Sequence, residues 1–501
     1  MTSLNFRKIF QVHYLVLALI LGMAFYIASI PHLSYPYPLH VDEWVHMARS
    51  EAMLKAGSVT PVDPFMGSEP MGLNSNLEAA FQLFWGVFQN ISGISWLTIF
   101  RYFPGVIFII TVLSVYIMAR REGFGLEAAF FTLLIPTTVG VLGPAFLVPV
   151  SMGLLFTPLI LFLALNFRTV WSYSLIFIFI CFLLAIHAPS AISPIIVLAP
   201  YILLNMKGNF KPSLWLILAL MLPFLIAFPW IFNLLLPTAR SLFTPQSPTE
   251  YIQLPRVIQT YGYIPISLCL LGTLILGLKG GKKNYALALG LLALLLMLVS
   301  FFNFHRGVPI VYERGLMYMM LMVGIIAGAG LMILKSLKLP ASFDSWLNMP
   351  IVTKNIGNFL CLAVAVVILT IIIPQRLAIP YYHMIDEQDY QAFIWIKNNL
   401  NQDYEKVILD PWKGTAFTAI TGKQIYTRIH VAPLDDDNRA YDFLMGGSNN
   451  TTFLKKNSIS IIYTRLYDFT QNKDIELNSS NPDLIEVAKN IYVLKSSQKT
   501  D

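Results

Sequence analysis

The segment His40-Val41-Asp42-Glu43-Trp44-Val45-His46, with Arg49 beyond it, groups side chains that can do chemistry on a hydroxyl or amide substrate. Asp42, His46 and Arg49 are spaced four and three residues apart, so a helix places all three on one face. A carboxylate there can take a proton, an imidazole can orient it, and a guanidinium can hold an anion by two parallel contacts. Glu43 lies about 100° round the helix from Asp42 and is the second candidate acid. A plainer reading stands beside this one. Acids in the first turn of a helix are favoured by about 0.3–1 kcal/mol through its macrodipole, and both Asp42 and Glu43 fall there.

The helix that must carry these groups runs to Lys55 and is stopped by Gly57. It belongs to a long stretch, 31–98, holding six of the eleven acidic residues that precede Ile379: Asp42, Glu43, Glu51, Asp63, Glu69 and Glu78. Loops of this length are functional or disordered, and the aromatic and aliphatic content here favours order. Within it, Leu77 to Ile91 reads as a helix lying in the membrane interface, with Trp85 at headgroup depth.

Composition sets the class of the whole chain. Of 501 residues, 56% are hydrophobic and 12% charged, against about 45–50% and about 25% in an ordinary soluble domain. The chain is therefore expected to be an α-helical polytopic membrane protein. Apolar runs of span length occur near Phe10 to Ile30, Ile99 to Ala119, Leu126 to Leu142, Leu147 to Leu165, Trp171 to His187 and Ala191 to Met206. Others lie near Pro212 to Leu236, Val257 to Leu278, Tyr285 to Phe304, Val311 to Leu334 and Gly357 to Pro374. They give about eleven transmembrane helices. Alternate loops collect the Lys and Arg residues, among them Arg7, Lys8, Arg120, Arg121, Arg168, Lys207, Lys279, Lys335 and Lys354. That bias places the N-terminus in the cytoplasm and, with an odd span count, the C-terminal tail outside. The sequons at Asn90, Asn449, Asn450 and Asn478 all fall on the outer side of this arrangement. A formal charge of +7 does not argue for nucleic acid, because 21 Lys and Arg against 11 Asp and Glu precede Ile379, where topology explains the excess. Cys181, Cys269 and Cys361 lie inside apolar runs and imply neither a disulfide framework nor a zinc site.

Two domains follow: a transmembrane domain over 1–379 that includes the outer loop 31–98, and a small α/β domain over 380–501. In the tail, helical spacing covers Asp386 to Leu400, and strands are expected at Lys406 to Leu409, Ser458 to Thr464 and Leu484 to Leu494. Short helices are expected at Gly414 to Ile420 and Asp437 to Met445.

The run Val41-Asp42-Glu43-Trp44-Val45-His46-Met47-Ala48-Arg49 through Met53-Leu54-Lys55-Ala56-Gly57 resembles the first-loop motif of GT-C glycosyltransferases. Protein O-mannosyltransferases and aminoarabinose transferases carry a similar Asp-Glu just after the first span. The order of an interfacial helix at Leu77 to Ile91, Arg101 at the start of the second span, and Arg120-Arg121 at its end is similar too. The resemblance implies an inverting transferase that takes a sugar from a polyprenyl or dolichyl phosphate donor to a glycan, protein or lipid acceptor on the outer face. Asp42 and Glu43 are its catalytic candidates, with His46 and Arg49 beside the substrate.

A phosphate leaving group departs as a stable anion and needs cations rather than a general acid. Candidates at the outer ends of the spans are His187, Arg240, Arg256, His305, Arg306 and Arg314. Arg306 and Arg314 are favoured because a guanidinium grips phosphate at two points and because an Arg as deep as Arg314 is costly unless paired or functional. A structural ion pair of Arg314 with Glu313 or a neighbouring helix is the other reading, and for His187 it is a polar cap at a span end. His40, Asp42, His46 and Asp63 offer N and O ligands for a divalent metal, as oligosaccharyltransferase subunits of the superfamily use. Those carry an acidic pair in the second outer loop, where this chain has Gly143-Pro144-Ala145-Phe146, so no cofactor is expected. In the tail, Asp410-Pro411-Trp412-Lys413-Gly414 resembles faintly the oligosaccharyltransferase Trp-Trp-Asp-Tyr-Gly peptide-binding motif, with Asp410 before rather than after Trp412; the alternative is an ordinary strand-turn-helix junction. Asp435-Asp436-Asp437 reads as a solvated loop and N-cap, or as a calcium site. A transporter or lipid flippase, or a non-catalytic scaffold with the same fold, are the rival classes. Nearly all charges lie away from mid-span, which favours chemistry at the interface over transport.

Overall fold

A computed structural model describes residues 3–67, 69–72, 78–137, 142–241, 261–307, 309–337, 350–378, 384–401, 403–429, 432–468, 471 and 473–495. Along the chain the helices are α1 (Ser3–Ser29), α2 (Val41–Ala56), α3 (Ala79–Ser92), α4 (Trp96–Arg120), α5 (Gly125–Thr132), α6 (Pro149–Asn166), α7 (Val170–Ile186), α8 (Ala188–Met206) and α9 (Phe210–Ser241). They continue with α10 (Tyr263–Lys279), α11 (Lys282–Phe304), α12 (Pro309–Ser336), α13 (Pro350–Leu377), α14 (Glu387–Asn399), α15 (Gly414–Thr421), α16 (Asp435–Met445) and α17 (Thr451–Lys456). The strands are β1 (Lys406–Ile408), β2 (Gln424–Ile425), β3 (Ile461–Tyr463), β4 (Arg465–Asp468), β5 (Lys473–Glu476), β6 (Leu484–Ala488) and β7 (Ile491–Leu494). Two compact units result, one of Met1–Ser34 with Phe100–Tyr381, the other of Tyr35–Ile99 with Tyr382–Asp501. Most of the loop 31–98, expected as part of the domain 1–379, thus groups with the tail.

The first unit is a helical membrane bundle. Eight described helices are long and apolar enough to cross a bilayer, and α7 and α10 are apolar with 17 residues each. Of the expected span Leu126 to Leu142, the described residues are helical only over 126–132, within α5. The described residues after it are not, since Pro136, Gly143 and Pro144 deny the backbone a helical ladder. The span within α12 is 89% buried, whereas that of α13 is 17% buried and turns apolar residues such as Leu362 and Val366 outward. Close approach to α12 depends on glycine. A side-chain carbon at Gly330 would meet the Leu268 carbonyl oxygen at 2.0 Å, and one at Gly328 the Ala128 nitrogen at 2.5 Å, so small residues let α10 and α5 touch α12 backbone to backbone.

In the second unit a five-stranded sheet has the order β2-β1-β3-β7-β6. β1 pairs in parallel with β2 and β3, and β7 lies antiparallel between β3 and β6. Ile408, Ile462 and Leu494 pack against Phe443, Leu444 and Leu454 in one apolar cluster. The stretch Leu484 to Leu494, expected as one strand, is a hairpin instead. Asn490 makes the turn at φ +62, a conformation that Asn tolerates better than most residues. β4 and β5 form a separate antiparallel pair.

The first-loop helices join this unit through specific contacts. Helix α15 packs on α2, the Ile425 N–H donates to the Phe65 carbonyl at 2.9 Å, and Gln424 Nε2 donates to the Gly67 carbonyl at 3.1 Å. The hydroxyls of Tyr35 and Tyr37 reach the Ile385 carbonyl at 2.8 Å and the Glu387 carboxylate at 2.5 Å. Beneath lies a buried ionic network. Lys413 holds Asp389 at 2.8 Å and also Asp474, while Arg465 grips Asp386 and lies 2.9 Å from Asp389. Helix α3 presents Phe81, Gln82, Trp85 and Gly86 inward and leaves Leu83, Phe84, Val87 and Ile91 exposed. Trp85 falls on the inward stripe, where it is buried and packs edge-on to Phe84 and Phe88.

Candidate active site

The two acids at the start of α2 have different surroundings. His40 is the N-cap, its Nδ1 accepting the Asp42 N–H at 3.1 Å. Glu43 is wholly buried, and its Oε2 accepts the N–H groups of Leu39 at 2.8 Å and His40 at 3.2 Å. Those bonds satisfy donors that a helix start leaves unpaired, so the Glu43 carboxylate serves the helix N-terminus. Asp42 is half-buried, with one carboxylate oxygen 3.5 Å from His40 Nδ1. His46 is buried and directed at α3, its Nε2 3.9 Å from the Glu78 carboxylate and its ring edge-on to Phe81 at 4.8 Å. The crossing of α2 and α3 fixes that direction. The Ser50 hydroxyl lies 2.6 Å from the His46 carbonyl and 2.8 Å from the Gln82 carbonyl, and Gly86 faces Ser50 and Leu54 without a side chain.

A residue that sequence reasoning missed stands with Asp42. Arg428 follows β2, and its guanidinium lies over the Phe65 ring at 3.9 Å from the centroid. Burial pushes its pKa down to about 10, with Asp63 and Asp42 pulling it up and Arg49 pushing it down, so all three groups lie within electrostatic reach of Arg428. The side chain remains charged at neutral pH. Its backbone is pinned on both sides: the Thr427 hydroxyl donates to Asp437 at 2.5 Å, and the Ile429 N–H donates to the Pro411 carbonyl at 3.1 Å. The Asp63 carboxylate accepts the Phe65 N–H at 3.2 Å, which bends the chain so that Phe65 turns toward the tail. No local pattern marks Arg428 in the sequence, because it reaches Asp42 through tertiary packing.

Among the phosphate candidates, His187 caps the α7–α8 junction and is buried, its Nδ1 2.6 Å from Ser190 Oγ. The Tyr318 hydroxyl donates to the same Ser190 oxygen. Arg314 lies one turn before Tyr318 on α12 and acts on its hydroxyl electrostatically, so Arg314 and His187 belong to one polar cluster. Gly153 gives this cluster room, since a side-chain carbon there would stand 2.2 Å from both hydroxyl oxygens. Arg306 and His305 are exposed just after α11. The Arg240 side chain and Arg256 lie outside the described residues, as does the Glu313 side chain.

The metal candidates do not share a ligand geometry. His40 Nδ1 takes a backbone N–H and stands 3.5 Å from an Asp42 oxygen, while His46 faces α3. Among the described residues the one triad of metal-ligating side chains is Asp386, Asp389 and Asp474, and Lys413 and Arg465 already hold all three. No step below is routed through a metal. In the tail, Asp410 is buried and accepts the N–H groups of Trp412 at 3.0 Å and Tyr467 at 2.9 Å together with the Tyr441 hydroxyl at 2.9 Å, while Lys413 is buried in the ionic network. The polar groups of Asp410 to Gly414 thus serve a strand-turn-helix junction. Asp437 caps α16 through the Leu434 N–H at 2.8 Å, and Asp436 pairs with Arg439 at 3.0 Å on the surface.

No family model and no curated protein matches the sequence. Solved structures do. The oligosaccharyltransferase AglB from Archaeoglobus fulgidus, in complex with an inhibitory peptide and a dolichol-phosphate, matches with a TM-score of 0.58 at 13% identity over 96% of this chain and 75% of that one. ArnT from Cupriavidus metallidurans, bound to undecaprenyl phosphate, matches with a TM-score of 0.57 at 13% identity over 98% and 99%. The mycobacterial arabinofuranosyltransferase AftD matches with a TM-score of 0.58 at 16% identity, over 94% of this chain but 37% of its own length. At these identities the likeness is one of fold: the chain shares its fold with the membrane glycosyltransferases AglB, ArnT and AftD.

Proposed function

We propose that the protein is a membrane glycosyltransferase that moves a sugar from a polyprenyl or dolichyl phosphate donor to an acceptor on the extracytoplasmic face. The observation that carries this reading is the half-buried Asp42 carboxylate, which with Asp63 and Arg49 lies within electrostatic reach of Arg428, in a fold shared with AglB, ArnT and AftD. AglB and ArnT are described with dolichol-phosphate and undecaprenyl phosphate, which supports a lipid phosphate as the donor's carrier. An Archaeoglobus fulgidus oligosaccharyltransferase is described in complex with zinc and sulfate, and among the described residues here the one triad of metal-ligating side chains is that of the tail.

In this mechanism Asp42 takes the proton from the acceptor O–H or N–H as that atom bonds to the anomeric carbon. The bond from that carbon to the phosphate oxygen breaks, and its electron pair leaves on the phosphate. Arg314, His187 and Arg306 are the proposed partners of the departing anion, and displacement inverts the anomeric centre. The test supplies membranes containing the protein with radiolabelled polyprenyl-phosphate sugars. Wild type is expected to transfer label to a membrane acceptor and Asp42→Asn to lose at least a hundredfold. Equal transfer by the two would overturn the assignment of Asp42.

A further inference from the structure

We infer that Arg428 and Arg49 form a cationic subsite for an anionic group, phosphate or carboxylate, on the acceptor, held next to the atom that Asp42 deprotonates. This rests on the glycosyltransferase reading above. Three observations carry it. Nη1 of Arg428 and Nε of Arg49 are buried and find no hydrogen-bond partner among the described residues. Two guanidinium groups held near one another with donors unmet are costly until an anion meets both. The Phe65 ring braces the Arg428 plane, and the start of α15 braces its stem, since a side-chain carbon at Gly414 would stand 3.3 Å from Arg428 Cβ. A fork fixed in this way loses little freedom on binding.

Stereochemistry decides which substrate bears the anion. In an in-line displacement the base and the leaving phosphate stand on opposite sides of the anomeric carbon, so cations beside the base lie on the acceptor's side. The site is balanced without substrate, two carboxylates against two guanidinium groups. An anion entering it raises the proton affinity of Asp42 and makes it a stronger base, and proton uptake by Asp42 then leaves the anion better held.

Water is an acceptor with no anionic group, and this separates the possibilities. Purified full-length protein in lipid nanodiscs is given labelled polyprenyl-phosphate sugar, and two rates are measured: hydrolysis of the donor to free sugar, and transfer to acceptors in a membrane extract. Arg428→Gln and, separately, Arg49→Gln are expected to lower transfer at least tenfold more than they change hydrolysis, while the donor KM stays put. Inorganic phosphate at millimolar concentration, at constant ionic strength, is expected to inhibit wild-type transfer and to have less effect on Arg428→Gln. A raised donor KM with hydrolysis and transfer falling together would place the two arginines on the donor phosphate and overturn the proposal. A lowered Tm with both rates falling in proportion would reduce them to a structural role and overturn it equally. If wild type itself neither hydrolyses nor transfers, the glycosyltransferase reading fails first.

Discussion

At the scale of single residues, the neighbouring acids of the first loop differ in what they are free to do. Glu43 spends its carboxylate on the N–H groups of Leu39 and His40 inside the protein, whereas Asp42 remains half-buried among charged groups. Glu43→Gln keeps one acceptor oxygen but loses the charge that strengthens both bonds at the positive end of α2. The loss of an N-terminal cap costs about 0.5–2 kcal/mol, and charge-assisted bonds are the stronger kind. Glu43→Gln is therefore expected to lower the unfolding temperature of the purified protein by several degrees and to keep most of its transfer rate per folded molecule. Asp42→Asn is expected to show the reverse pattern. Turnover lost in Glu43→Gln with unchanged stability would exchange the two roles.

At the scale of elements, the tail grips the first loop through α14, whose N-cap Asp386 is held by Arg465. Burial alone would raise the Asp386 carboxyl, but the hydrogen bonds from Arg465 and the Asp389 N–H, with the charges of Arg465 and Lys413, together outweigh it and hold the group below the usual carboxylate range. A carboxylate depressed in the folded state stabilises that state above its unfolded pKa, and the contribution disappears as pH falls through the folded value. Asp474 and Asp410 run the other way, both raised chiefly by burial, so overall acid stability does not isolate Asp386. The difference between wild type and Asp386→Asn does. In thermal unfolding of the full chain, wild type is expected to be the more stable at pH 6, and the gap is expected to close as pH drops below about 4. A gap that stays constant would mean that the Asp386 charge does not stabilise the fold. Local patterns foretold much of this architecture: α2 and its Gly57 stop, α3, α14, and the strand-turn-helix from β1 into α15 are all visible as periodicity and caps. The pairing of Arg428 with Asp42 is not, because 386 positions separate them and only tertiary packing of α15 on α2 brings them together. Likewise the apolar residues on both sides of Lys489-Asn490 carry a strand-like pattern across the turn, so Asn490 alone marks the hairpin in the sequence.

At the scale of the whole molecule, one unit is built from residues on both sides of the bundle in sequence, Tyr35–Ile99 and Tyr382–Asp501. Segments that fold into one body must lie on one side of a membrane, so the chain between them crosses an even number of times. Among the described residues, α4, α6, α7, α8, α9, α10, α11, α12 and α13 are the apolar helices of that interval. They make an odd set, so an even number needs one more crossing, for which the sequence offers Leu126 to Leu142, described in part as α5. Its pairing supports this. Glu127 meets Lys335 near the end of α12, Ala128 abuts Gly328, and the Leu134 carbonyl accepts from Arg376 near the end of α13, so α5 advances along α12 toward the far side. The basic residues of alternate loops are the ground for proposing that the first loop and the tail both lie outside. A reporter active only in the cytoplasm is expected to be silent when fused after Lys495 and equally silent when inserted at Ile94, behind α3. Activity at both positions would invert the orientation while preserving the parity of the crossings. Activity at one alone would show that the tail and the first loop lie on opposite sides, and that Arg428 cannot serve the site of Asp42.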